Sequence, residues 1–119
     1  PSQISASMFR DGVALMRSYA DEQDRPMPDD LGVNIFAALA GSDDEAHKYM
    51  TDGFGSRFNE EGLQTLVISG GLDTFVEKTR RFIDAGVNVF DIKFVPITID
   101  KTIEQMEILV REVLPALES

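Results

Sequence analysis

Apolar residues recur with a helical period in some segments of this chain and form nearly continuous runs in others, and this difference separates helices from strands. From Ser5 to about Asp21, apolar residues recur every three or four positions, which predicts an amphipathic helix. The helix is expected to end before segment 24–30, because its two prolines remove backbone donors. Segment 31–40 is mostly apolar without alternation, which predicts a strand covered on both faces. Segment 87–95 is rich in β-branched and aromatic residues and is followed by Pro96, which predicts a second strand.

Helices are predicted between and after these strands. Ser42 or Asp43 is a suitable N-cap for a helix that continues to about Met50, and its acidic first turn complements the helix dipole. Segment 42–71 as a whole is predicted to be irregular, because glycines interrupt its pattern. The next helix follows the glycine pair and ends at Gly86, which provides the left-handed cap.

A last helix is predicted to begin near Thr102, because its spacing to Gln105 matches a capping box. Pro115 is expected to end or distort this helix one turn from its end. Its periodic apolar residues predict one buried face, consisting of Ile103, Met106, Val110, Val113, Leu114 and Leu117.

Helices alternating with strands predict parallel βαβ units and an α/β fold. Two long strands leave both faces and both edges of a parallel sheet to be covered. We therefore expect the 119 residues to form one segment of a larger sheet.

The charge balance excludes several classes of partner. Acidic residues outnumber basic residues by 21 to 11, and the net charge of −10 repels nucleic acid and anionic membranes. The sequence contains no cysteine, which excludes disulfides and thiolate chemistry and is typical of a cytoplasmic protein. No apolar run approaches the length of a membrane span.

Three stretches resemble one enzyme family. Segment 70–94 combines a helix that starts after glycines, an Asp-Ala-Gly-Val turn and an apolar strand. Segment 113–117 reads Val-Leu-Pro-Ala-Leu, and segment 38–46 joins an apolar strand to an acidic helix start. In this order and spacing they resemble the C-terminal part of bacterial-luciferase-like monooxygenases and their F420-dependent relatives.

The resemblance implies that residues 1–119 are the C-terminal portion of a (β/α)8 TIM barrel, with its last two strands and flanking helices. Segment 42–71 would then be an irregular insertion between strand seven and its helix. A complete barrel has about 250 residues, so most catalytic residues would lie upstream of Pro1. The resemblance also implies FMN or F420 as cofactor, a small-molecule substrate and, with the uncovered sheet, a homo-oligomer.

Two alternatives to this interpretation remain open. In the first alternative, the chain is a non-catalytic barrel fragment that associates with itself. In the second, it is part of another barrel enzyme that shares only the fold.

The first candidate site is the turn Ser69, Gly70 and Gly71. It precedes a helix, where free N–H groups and the helix dipole favour an anion such as a cofactor phosphate. The alternative interpretation is a flexible helix start, since the turn matches no complete phosphate-loop motif.

Lys93 is the second candidate for cofactor binding. It lies near the end of the second strand and two residues after Asp91, so the two side chains share one face. Barrel active sites lie at this end of the strands, where Lys93 would reach an anionic group of cofactor or substrate. Family members often have an apolar residue at the position of Asp91, and an Asp91–Lys93 ion pair is the alternative role.

The remaining polar residues are interpreted structurally. His47 is expected to face solvent. Because it is the only histidine, no two-histidine metal site is possible within one copy. The acidic run 43–45 fits helix capping better than a cation site. The phenylalanines are spaced as core residues rather than as a flavin-stacking surface.

Overall fold

The computed structural model describes residues 4–55, 57–95 and 98–118, which form an α/β structure. Its helices and strands are α1 (Ala6–Glu22), β1 (Gly32–Leu39), α2 (Asp43–Phe54), α3 (Glu60–Thr65), β2 (Ile68–Gly70), α4 (Leu72–Asp84), β3 (Val89–Phe94), α5 (Ile99–Ile108), a π-helical segment (Leu109–Val113) and α6 (Leu114–Glu118). The two long strands expected from the sequence are confirmed as β1 and β3. Within the described ranges, no helix has the length and apolar character needed to cross a bilayer.

The strands form one parallel sheet in the order β2-β1-β3. β1 and β3 pair along six residues each, from Gly32 opposite Val89 to Ala37 opposite Phe94. β2 pairs only with the last three residues of β1, so the β2-side edge of segment 32–36 has no strand partner among the described residues. The sheet is therefore widest at its carboxyl end.

The two faces of the sheet are covered by different helices. On one face, Val33 and Ile35 pack in a core that includes α1, α4 and the π-helical segment. On the other face, Ala38 and Val95 pack in a second core against α2 and α3. The second core covers only the carboxyl end of its face, and Asn34 near the other end is exposed.

Segment 42–71 is more regular than the sequence predicted. Ser42 caps α2 by accepting a hydrogen bond from the Glu45 N–H at 3.2 Å, as expected for one of the two candidate caps. Asn59 caps α3 in the same way by accepting from the Gly62 N–H at 2.8 Å. The glycines that interrupted the pattern lie at the end of α2 and within α3, and Gly55 has a positive φ of 60°.

The predicted start of the last helix is wrong. α5 begins at Ile99 and Thr98 is its N-cap, accepting a hydrogen bond from the Lys101 N–H at 3.1 Å. The supposed capping partner, Gln105, is instead 1% exposed. Its Oε1 accepts a hydrogen bond from the Leu39 N–H at 2.9 Å, so a helix side chain satisfies the backbone at the end of β1.

The predicted buried face of the last helix is also largely wrong. Val113 is fully buried, but four of the expected core residues are exposed: Ile103, Met106, Val110 and Leu114. Hydrophobic periodicity identifies an apolar face without showing what covers it. Pro115 does distort the helix, which widens into the π-helical segment before it and then continues as α6.

Candidate functional site

Both predicted sites lie at the carboxyl end of the parallel sheet, but on different strands. Ser69 and Gly70 end β2, and Gly71 is the N-cap of α4. Lys93 is the penultimate residue of β3. β1 separates these strands, and the turn also lies at least two residues farther along them than Lys93, so the two places are roughly 12 Å or more apart in the sheet. The structure therefore brings them to the same end of the sheet without placing them in contact.

The glycine turn is held by a carboxylate from the chain itself. Oδ1 of Asp43, the first residue of α2, accepts a hydrogen bond from the Gly71 N–H at 2.8 Å. Its Oδ2 accepts a second hydrogen bond from the Thr74 hydroxyl at 2.9 Å. Gly71 offers no side-chain cap, so Asp43 supplies the cap of α4 from another helix. One N–H group of the predicted anion site is thus bonded to an aspartate.

Close packing at this turn explains why Gly70 is a glycine. Its φ is +156°, in a region that residues with a side chain rarely adopt. A Cβ at Gly70 would lie 2.7 Å from the Cβ of Thr74 and 3.0 Å from Oδ1 of Asp43. The absence of a side chain therefore allows α4 to approach α2 closely enough for the Asp43 cap.

The charge on Asp43 changes the electrostatics of the predicted anion site. The hydrogen bond from Gly71, followed by that from Thr74, lowers the pKa of Asp43, which favours its ionised form. Lys78 lies nearby and donates to the Ser69 carbonyl at 3.2 Å, and burial lowers the pKa of Lys78. A second anion at the start of α4 would face an adjacent carboxylate, which opposes its binding.

Lys93 lies on the sheet face opposite α1 and α4. Its register partner on β1 is Phe36, and Asp91 pairs with Asn34 one step nearer the other end of the strands. Parallel partners point to the same face, so these four side chains share it. Lys93, Asp91 and Asn34 are exposed. Asp91 and Lys93 form no ion pair with each other in the described structure, so no contact supports the alternative role of Lys93 as the ion-pair partner of Asp91.

An arginine that the sequence analysis did not single out lies beside Phe36. The Cζ atom of Arg57 is 5.1 Å from the centre of the Phe36 ring, 5.9 Å from that of Phe54 and 6.0 Å from that of Phe58. The three rings contact one another edge to face, with the Phe36 and Phe54 centres 4.8 Å apart. The sequence signal was the Phe54, Arg57, Phe58 spacing, although Phe36 is distant in the chain.

His47 faces solvent, as expected from the sequence. His47 is exposed on α2, and its Nε2 lies 3.7 Å from Oε1 of Glu60. Among the described residues, no three His, Asp or Glu side chains are grouped as a metal site. The arrangement thus provides charged and aromatic groups for binding at the carboxyl end of the sheet.

Comparison with known proteins gives a structural match without a sequence match. No protein-family model and no curated protein sequence matches this chain. Its structure is similar to that of the coenzyme F420-dependent tetrahydromethanopterin reductase from Methanopyrus kandleri, with a TM-score of 0.70 and 19% identity. The match covers 95% of this chain and 43% of the reductase chain, so this chain spans less than half of that protein's length. At this identity, the likeness shows a shared α/β fold.

Proposed function

We propose that this chain is the C-terminal part of a luciferase-like (β/α)8-barrel oxidoreductase that uses F420 or FMN and a small-molecule substrate. The observation that carries the proposal is the structural match between nearly the whole of this chain and part of an F420-dependent enzyme. The sequence resemblance in segments 70–94 and 113–117 points independently to the same family. A cytoplasmic location belongs to the same proposal.

In this proposal, β1 and β3 are the seventh and eighth barrel strands. Their direct parallel pairing fits consecutive strands, and α1 and α4 cover the face that would be outside the barrel. The opposite face, with Lys93, would line the interior and direct a positive charge toward an anionic group of cofactor or substrate. Ser69, Gly70 and Gly71 would form the neighbouring wall, fixed by the Asp43 cap. When bound, the cofactor would supply the redox chemistry, and this chain would contribute orientation and charge.

The test uses the protein encoded by the complete reading frame that contains these residues. Titration with F420 and FMN, followed by fluorescence, should show saturable binding of one of them, and substrate-dependent oxidation of its reduced form should follow. Absence of saturable binding for both cofactors would contradict the proposal. The 119-residue chain alone should show no turnover, because most loops of a barrel site would be missing.

Lys93→Met in the same protein tests the proposed contact. Removal of a charge-assisted hydrogen bond should cost about 1.5–3 kcal/mol of affinity for cofactor or substrate. Lys48→Met is the matched control, since Lys48 is an exposed lysine on α2. If Lys93→Met lowers the melting temperature while both affinities stay unchanged, Lys93 has a structural role instead.

Self-association of the chain is a second candidate function, and the uncovered surfaces of the structure favour it. The free edge of segment 32–36 can accept another strand. A groove of about 300 Å³ lies between α1 and the start of β1, and its lining includes Phe9, Val13 and Leu31. Light scattering should therefore detect dimers or larger species at micromolar concentration. A 13.2 kDa species at every concentration up to millimolar would refute self-association.

A further inference from the structure

We infer that Arg57 and Lys93 together bind an oxyanion, such as a phosphate group, beside Phe36 on the sheet face opposite α1 and α4. The inference rests on the proposed function in one respect, which is that the anion belongs to the cofactor or substrate. It adds Arg57 and Phe36 to the site and selects this face over the glycine turn. Arg57, Phe36 and Lys93 lie together on this face, whereas a carboxylate already bonds the start of α4.

Arg57 is positioned by aromatic rings, and its guanidinium donors have no partner among the described residues. Its guanidinium lies within 6.0 Å of three ring centres, which are provided by Phe36, Phe54 and Phe58. A guanidinium attracted to ring faces keeps N–H donors at its edge in a fork that matches two oxygens of an oxyanion. Within the described structure, this guanidinium forms no hydrogen bond or ion pair, and Arg57 is exposed. The rings therefore restrict its position and leave donors for a ligand.

Lys93 adds a second positive charge next to the same ring. Phe36 and Lys93 are register partners on neighbouring strands, which lie about 4.8 Å apart, and they share a face. Phe36 thus neighbours both cations, since Arg57 lies over its ring and Lys93 is its register partner. Asp91 shares the face but lies two residues, or about 6.6 Å, nearer the amino end of β3. The cations consequently lie at the carboxyl end and the carboxylate lies away from it.

The start of α4 is a weaker anion site for an electrostatic reason. The Gly71 N–H and the Thr74 hydroxyl both donate to Asp43, so an incoming anion would meet the negative charge of a carboxylate that these bonds hold in place. Lys78, the nearest cation, already donates to the Ser69 carbonyl. No such competing carboxylate bonds to Arg57 or Lys93 in the described part of the chain.

The experiment is a titration of the ¹⁵N-labelled chain with inorganic phosphate at pH 7, with sodium chloride at equal ionic strength as the reference. We expect saturable NMR shifts of the Arg57 side-chain Nε–Hε group and of the Lys93 amide, while Gly71 stays unchanged. Arg57→Gln and Lys93→Met should each weaken phosphate binding by about tenfold or more. Asp91→Asn should strengthen phosphate binding by about two- to fivefold, because it removes a negative charge from the face on which the phosphate would bind.

Arg17→Gln is the matched control, since Arg17 is an exposed arginine on α1, and circular dichroism checks the fold of each variant. Equal weakening in the control, shifts centred on Gly71, or no saturable binding would each overturn the inference. Binding of F420 or FMN that leaves Arg57 and Lys93 unaffected would also overturn it, while supporting the proposed function. Phosphate binding at Arg57 in a complete protein that binds neither cofactor would support the inference and contradict the proposed function.

Discussion

Replacing Asp43 by alanine should destabilise the fold more than its exposed position suggests. The change removes the acceptor for the Gly71 N–H at 2.8 Å and for the Thr74 hydroxyl at 2.9 Å, and these bonds join the starts of α2 and α4. A lost helix cap costs about 0.5–2 kcal/mol, and the second bond and the helix dipole add a few tenths to 1 kcal/mol. We expect the free energy of unfolding to fall by about 1–3 kcal/mol.

Urea denaturation at pH 7 measures this change, with Asp44→Ala as the matched control. Asp44 is an exposed neighbour in the same first turn of α2, so the control removes the same charge without removing the cap of α4. The control should lose about 0.5 kcal/mol or less. Equal losses in the two variants would refute the argument, because the effect would then depend only on charge near α2.

The pH dependence provides a second check. Hydrogen bonds from Gly71 and then Thr74 hold the pKa of Asp43 below its ordinary value. A lowered folded-state pKa stabilises the fold fully above the unfolded-state pKa, and this contribution is lost as the pH falls through the lowered value. The stability difference between the unsubstituted chain and Asp43→Ala should therefore be constant near neutral pH and shrink below about pH 4. A difference that grows on acidification would contradict this assignment.

Two further substitutions test the packing. Gly70→Ala should lower the free energy of unfolding in urea by about 1–3 kcal/mol, because of its φ of +156° and a Cβ contact of 2.7 Å. The control, Gly12→Ala on the open side of α1, should instead raise it by about 0.5–1 kcal/mol. Similar losses for both variants would contradict the steric explanation. Gln105→Leu should cost about 1–3 kcal/mol and speed hydrogen exchange of the Leu39 amide, whose acceptor it removes. Gln64→Leu, at an exposed position of α3, should change neither quantity, and unaltered exchange at Leu39 in the Gln105 variant would refute the proposed contact.

Local patterns predicted the elements whose boundaries depend on adjacent residues. β1 follows from its continuous apolar run and β3 from its β-branched and aromatic residues, and α4 ends where Gly86 takes a φ of +114°. The start of α5 was misassigned, because Thr98 and Thr102 are both suitable caps and only the path of the chain decides between them. The role of Gln105 also depends on β1, which lies 66 residues earlier.

The candidate site was likewise predicted only where it depends on adjacent residues. The period of two along β3 correctly predicted that Asp91 and Lys93 share a face. Arg57 was missed because its position depends on Phe36, which tertiary packing brings from another element. Asp43 was interpreted only as a first-turn carboxylate of α2, since its bond to Gly71 joins residues 28 positions apart. Local sequence therefore predicts which side chains point together but not which distant ones meet.

The strand order also determines when each strand can pair during synthesis of the chain. β1 is the central strand, yet its six-residue partner β3 begins 57 residues after it, and the short β2 emerges in between. A growing chain can pair β1 with β2 early along three residues only. Until Phe94 leaves the ribosome, the backbone N–H and C=O groups on the long pairing edge of β1 lack their native partners, and such edges favour aggregation. The central strand of this sheet is thus the first to be made and the last to be completed.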